Sequence, residues 1–105
     1  MARREERRPL AMNAQCRSGH DRRNVALWDL SSHGCRIVLA GMVHIAVGQR
    51  IVLRPEGLES LSGTVRWRSE EFAGVEFDRA LHPAVVDHLC RLHPDDSRME
   101  MEMAA

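Results

Sequence analysis

Leu61-Ser62-Gly63-Thr64-Val65-Arg66-Trp67-Arg68 alternates in steps of two. Leu61, Gly63, Val65 and Trp67 fall on one face, and Ser62, Thr64, Arg66 and Arg68 on the other. Period two is the signature of a half-buried strand. Ser69-Glu70-Glu71 makes a tight connection, and Phe72–Phe77 follows as a second strand with Ala73, Val75 and Phe77 facing one way.

Upstream, the same texture repeats. Leu10–Arg17 reads as a first, weak strand entered through Pro9, and Ser18-Gly19-His20-Asp21 as turn material. Asn24–Leu30 is a second strand, with Val25 and Leu27 on one face and Ala26, Trp28 and Leu30 on the other. The polar stretch Asp29-Leu30-Ser31-Ser32-His33-Gly34 separates it from a third, Cys35–Leu39, carrying β-branched Ile37 and Val38. Residues 40–47 read as a loop or a short helical turn bracketed by Gly41 and Gly48. Gln49–Arg54 is a further strand, stopped by Pro55 and Gly57. Short strands at this spacing predict a small barrel or sandwich.

The period then changes. Pro83 suits a first helical turn, Val85, Val86, Leu89 and Leu92 fall at helical spacing, and Pro94 stops the run. A single amphipathic helix of this length caps one opening of a barrel. Asp95–Ala105 is charged, Met-rich and unpatterned, and is expected to be a disordered tail.

A chain of 105 residues fits one domain. Its formal charge is zero, which argues against general DNA or RNA binding, but the charge is segregated. Arg3, Arg4, Arg7, Arg8, Arg17, Arg22 and Arg23 outnumber Glu5, Glu6 and Asp21 at the start, whereas Asp95, Asp96, Glu100 and Glu102 face Arg98 alone at the end. All fifteen basic residues are arginine, the residue best suited to bidentate contacts with phosphate and guanine. Cys16, Cys35 and Cys90 are odd in number and lack C-x-x-C spacing, so neither a disulfide framework nor a zinc site is expected. The six histidines form no metal pattern. The charged N-terminus is not a signal peptide, and no apolar run approaches the ~20 residues that span a membrane. A cytoplasmic location is the expectation.

An arginine run by itself reads as a solvated tail, and a polar turn by itself as a turn. Their combination is what points to a ligand. Asp29, Ser31 and His33 include the residue types of a hydrolase triad, but they are packed into one turn without a nucleophile elbow, so catalysis is not expected. Trp28 and Trp67 read as core or rim packing rather than base-stacking platforms, the latter because it shares a face with Val65.

The order of these motifs resembles the PilZ domain. An R-x-x-x-R motif precedes a strand, a D-x-S-x-x-G turn, further strands, then Gly63-Thr64-Val65-Arg66-Trp67 and Gly74-Val75-Glu76-Phe77. The resemblance covers roughly residues 3–93. It implies a mainly β fold, a six-stranded antiparallel barrel with one C-terminal α-helix, and a receptor for the bacterial second messenger cyclic di-GMP. On this reading residues 1–9 form a flexible arginine-rich segment, 10–93 the barrel and helix, and 94–105 the tail.

The resemblance places Asp29, Ser31 and Gly34 in the ligand site. Two frames satisfy R-x-x-x-R, Arg3 with Arg7 and Arg4 with Arg8. The family's second arginine sits just before the first strand, which favours Arg3 and Arg7, with Arg4 and Arg8 as auxiliaries. A guanidinium fork bonds a phosphate or the O6 and N7 edge of guanine, and its face stacks on a purine. Asp29 would accept from guanine N1 and N2 or orient an arginine, Ser31 would offer a hydroxyl, and Gly34 would supply either positive φ or a close backbone approach. No cofactor is implied beyond this ligand. Without an attached output domain, the signal would pass to a protein partner. The alternative is a PilZ-like adaptor that does not bind ligand, of the kind associated with type IV pili.

Overall fold

The computed structural model describes residues 8–39 and 45–94. Six strands precede one helix: β1 (Arg8–Ser18), β2 (Asp21–Leu30), β3 (Gly34–Val38), β4 (Arg50–Pro55), β5 (Leu61–Arg68), β6 (Phe72–Phe77) and α1 (Pro83–Leu92). The strands close into an antiparallel barrel in the order β1-β2-β3-β6-β5-β4. Closure pairs each strand on both sides over at least part of its length.

Alternation drives the closure. Leu10, Met12, Ala14 and Cys16 point inward from β1, while Asn13, Gln15 and Arg17 point outward. The β1–β2 hairpin turns through Gly19 and His20, with Ser18 opposite Asp21. Gly19 has φ 61°, as the first position of a tight hairpin loop requires. Leu53, Val65, Ala73 and Ile37 bring the other strands to the same core.

Two irregularities correct the sequence-based faces. Leu30 is buried with Val25 and Leu27 rather than lying opposite them. The β2–β3 register shifts between Leu27 and Asp29, which resets the alternation. The second shift, between Val65 and Trp67 in the β5–β6 pair, rotates Trp67 off the Val65 face. Trp67 is accordingly 38% exposed.

Helix α1 begins at Pro83, as predicted, with His82 as N-cap; its Nδ1 accepts from the Ala84 N–H at 3.0 Å. Val86, Leu89 and Cys90 are buried against the barrel, and Val85 packs on their flank. Leu92, expected on the apolar stripe, is exposed. The Ala11 N–H donates to the His93 carbonyl at 3.0 Å, fixing the helix end beside β1. Residues 40–44, most of the stretch read as a loop or helical turn, and 95–105, the expected tail, lie outside the described residues.

Candidate ligand-binding site

The β2–β3 turn is built around Ser31, which is 2% exposed. Its Oγ accepts from the N–H groups of His33 and Gly34, both at 3.2 Å, and the Ser31 N–H donates to the Gly34 carbonyl at 2.9 Å. A serine here supplies acceptors for N–H groups that no strand satisfies. The turn is also held from outside: Phe77 N–H donates to the His33 carbonyl at 2.8 Å, and Leu81 N–H to the Ser32 carbonyl at 2.7 Å. Ser31 is thus a buried fastener of the turn, not a hydroxyl on its surface.

Gly34 is needed for space. It does not have a positive φ, one of the two roles expected of it. A Cβ on Gly34 would collide with the Val75 carbonyl oxygen of β6. The close approach foreseen for this glycine is therefore to the neighbouring strand. It lets β3 pair with β6 from its first residue, Gly34 opposite Glu76.

Asp29 stands directly opposite Arg36 on β3, and Arg36 Nη2 lies 2.8 Å from Asp29 Oδ2. The two side chains are 20% and 25% exposed, so water screens the pair only in part. The Arg36 guanidinium also lies over two rings, 4.8 Å from the Phe72 centroid and 5.8 Å from that of Trp28. Those rings touch each other at 5.3 Å. Arg36 Nε is buried and has no hydrogen-bond partner among the described residues. Arg36, Phe72 and Trp28 were not among the residues singled out from the sequence for the site. Trp28 and Phe72 do pack at the barrel surface, as rim residues.

One register row links this cluster to Trp67. Asp29 pairs with Arg36, Arg36 with Gly74, and Gly74 with Trp67, across β2, β3, β6 and β5. The Trp67 indole lies over Gly74, in the space a Cβ would fill. Beside it opens a groove of about 320 Å³ lined by His33, Gly34, Arg66, Trp67, Gly74 and Glu76. That volume is at the lower end for small-molecule sites, about 300–1,000 Å³. Arg66 and Glu76 pair with each other at 2.6 Å on one side of it. The groove therefore offers an indole, an imidazole, a guanidinium and a carboxylate next to the turn.

Of the arginine run, Arg3, Arg4 and Arg7 lie outside the described residues. Arg8 opens β1, two residues earlier than the strand predicted from the sequence. Its cross-strand partner is Leu30, and Pro9 faces Asp29. The start of β1 thus lies beside the Asp29 turn. Arg8 Nη1 is 2.9 Å from Asp87 Oδ1 on α1, and Arg91 Nε is 2.9 Å from Asp87 Oδ2. The hydrogen bond from Arg8 foremost, with the charges of Arg91 and Arg8 assisting, holds the Asp87 carboxyl below its ordinary range despite some desolvation. Among the described residues no group of His, Cys, Asp or Glu is arranged to hold a metal ion. No described helix is long and apolar enough to cross a membrane.

The PilZ domain family model matches residues 2–93, which includes the whole barrel and helix. No curated protein matches the chain at a significant level. Among solved structures, the Bacillus subtilis inhibitor of motility (MotI/DgrA) is similar in fold, with a TM-score of 0.68 at 17% identity. The match covers 87% of this chain and 50% of that one, so this chain spans half the length of its structural neighbour.

Proposed function

The chain belongs to the PilZ family, and on that premise we propose that it is a receptor for cyclic di-GMP that passes the signal to a protein partner. The observation that supports this reading is the pairing of Pro9 with Asp29, which sets the start of β1, next in sequence to the arginine run, beside the D-x-S-x-x-G turn. The ligand has two phosphates and two guanines. Arg3 and Arg7, with Arg4 and Arg8 as auxiliaries, clamp phosphate oxygens and guanine edges. Asp29, oriented by Arg36, is placed to accept from guanine N1 and N2. Trp67, over Gly74 in the adjoining groove, offers a ring face to a purine. Ser31 and Gly34 act indirectly, by setting the turn.

The role is that of a binding module rather than an enzyme. Ser31 Oγ is committed to backbone N–H groups, and its burial keeps it from a substrate. Calorimetric titration with cyclic di-GMP tests the reading. Saturable heat is expected. No heat and no thermal stabilisation up to millimolar ligand would leave the ligand-independent adaptor as the function.

A further inference from the structure

Six of the barrel's arginines fall into two groups. Arg36, Arg50 and Arg66 each hold a carboxylate of the barrel or its edge: Asp29, Asp78 and Glu76. Arg17, Arg22 and Arg54 are exposed and have no ion-pair partner among the described residues. These three share the outer face of β2-β1-β4. Arg17 stands opposite Arg22, and Arg54 opposite Gln15, two residues from Arg17 along β1. Like charges directly opposite in a ladder repel, so the face gains from a bound anion. Neither β1 nor β4 contains an acid; Glu56 and Glu59, just beyond β4, line a groove with Gln15 and Arg54 but form no ion pair with Arg54. Of the two acids of β2, Asp29 is held by Arg36 and Asp21 lies at the hairpin opposite Ser18.

The end of α1 points to an occupant. The His93 carbonyl accepts from Ala11 of β1, so the chain leaves the helix beside the start of the strand whose far end carries Arg17. From Ala11 to Arg17 along β1 is roughly 20 Å at ~3.3 Å per residue. Residues 94–105, extended, reach up to ~40 Å. They carry Asp95, Asp96, Glu100 and Glu102 against Arg98. We propose that the outer face of β2-β1-β4 is a docking surface for an acidic polypeptide, and that its occupant in this chain is the chain's own 95–105 segment. The surrounding positions Gln15, Asn24 and Val52 hold no aromatic ring, which disfavours single-stranded nucleic acid, where bases stack on aromatics. Tethering matters because exposed ion pairs are weak singly. A segment tethered at this distance meets the face at an effective concentration of roughly millimolar. The inference stands on strand register and charge, and is independent of the cyclic di-GMP reading.

Backbone amide spectra of the 105-residue chain, without nucleotide, compare wild type with D95N/D96N/E100Q/E102Q. The signals of Arg17, Arg22 and Arg54 are expected to move, while those of the β5–β6 hairpin stay. About 0.5 M sodium chloride, which shortens the screening length to a few ångström, should move the wild-type signals the same way. A synthetic peptide of residues 95–105, added to the substituted chain at roughly millimolar concentration, should restore them. The proposal is overturned if the three arginines keep the same signals in both chains. It is also overturned if single-stranded DNA moves them and the peptide does not.

Discussion

Asp29 and Arg36 face each other across the β2–β3 ladder with 2.8 Å between Oδ2 and Nη2, and the same guanidinium rests 4.8 Å from the Phe72 ring. One arginine therefore fixes the acid of the turn and joins it to the aromatic rim. Removing it leaves a largely buried carboxylate without its cation.

Arg36→Ala is expected to destabilise the fold by about 1.5–3 kcal/mol, the range for losing a charged hydrogen bond. It should also weaken cyclic di-GMP binding about tenfold by freeing Asp29, which is about 1.4 kcal/mol. Arg36→Lys should recover part of the stability but less of the binding, since an ammonium cannot be a fork and a stacked plane at once. Urea unfolding and calorimetry read the two effects separately. Unchanged affinity in a folded Arg36→Ala chain would remove Arg36 from the site.

Ser31 and Gly34 predict a purely structural signature. Ser31→Ala strips the acceptor from the N–H groups of His33 and Gly34 in a buried turn, a loss of about 1–3 kcal/mol. Gly34→Ala drives a methyl into the Val75 carbonyl, with overpacking of about 1–3 kcal/mol or more. Both chains should melt several degrees lower, at about 4–8 °C per kcal/mol. A Gly34→Ala chain with wild-type Tm would contradict the packing described.

How far the chain could be read in advance follows from what each feature depends on. β5, β6 and the start of α1 rest on local periodicity, and Leu61–Arg68, Phe72–Phe77 and Pro83 are where the sequence puts them. Leu30 and Trp67 sit beside register shifts, which no period reveals, and both changed face. Asp29 was legible from its motif. Arg36 was not, because its importance comes from a cross-strand pairing and from Phe72, thirty-six positions away along the chain. Gly34 was legible as special but not in which way: the crowding atom belongs to β6, so only the β3–β6 register identifies it.

Thiol chemistry gives a test of the core that is independent of ligand. Cys16 is fully buried and its pKa is pushed up to about 11 by burial. Burial likewise raises Cys90, and Cys35 is 1% exposed. Only the thiolate reacts, so at pH 8 the native protein should leave Cys16 and Cys35 untouched by Ellman's reagent. In guanidinium all three should react. Rapid labelling of native Cys16 would place it outside the barrel.

Asp87 predicts an acid-sensitive link between β1 and α1. Its folded pKa is lowered, chiefly by the hydrogen bond from Arg8, so its contribution is present above the unfolded carboxyl pKa. That contribution is lost as pH falls through the folded value. Wild type should therefore melt above Asp87→Asn at pH 7, and the gap should begin to narrow below about pH 4 and close once pH falls below the folded value. A gap that persists at low pH would mean the pair does not act through the carboxylate charge. Arg8→Ala should reproduce the Asn variant's profile, because it removes the main cause of the shift.

The same pair separates the two arginine frames. Arg8 is held by Asp87 through Nη1, so part of its guanidinium is committed to a carboxylate rather than to a ligand. Arg7 is next in sequence before Arg8, the first residue of β1, and the proposed site takes it as the second arginine of the motif. Arg3→Ala/Arg7→Ala is thus expected to lower cyclic di-GMP affinity by an order of magnitude or more, with each lost charged hydrogen bond costing about 1.5–3 kcal/mol. Arg4→Ala/Arg8→Ala should lose less affinity and, through Asp87, some thermal stability. Asp87→Ala provides the control: freeing Arg8 should leave affinity unchanged if Arg3 and Arg7 carry the site. If binding survives in Arg3→Ala/Arg7→Ala but fails in Arg4→Ala/Arg8→Ala, the frame is Arg4 with Arg8. Asp87 is then a competitor for the ligand's arginine, and Asp87→Ala should bind more tightly than wild type.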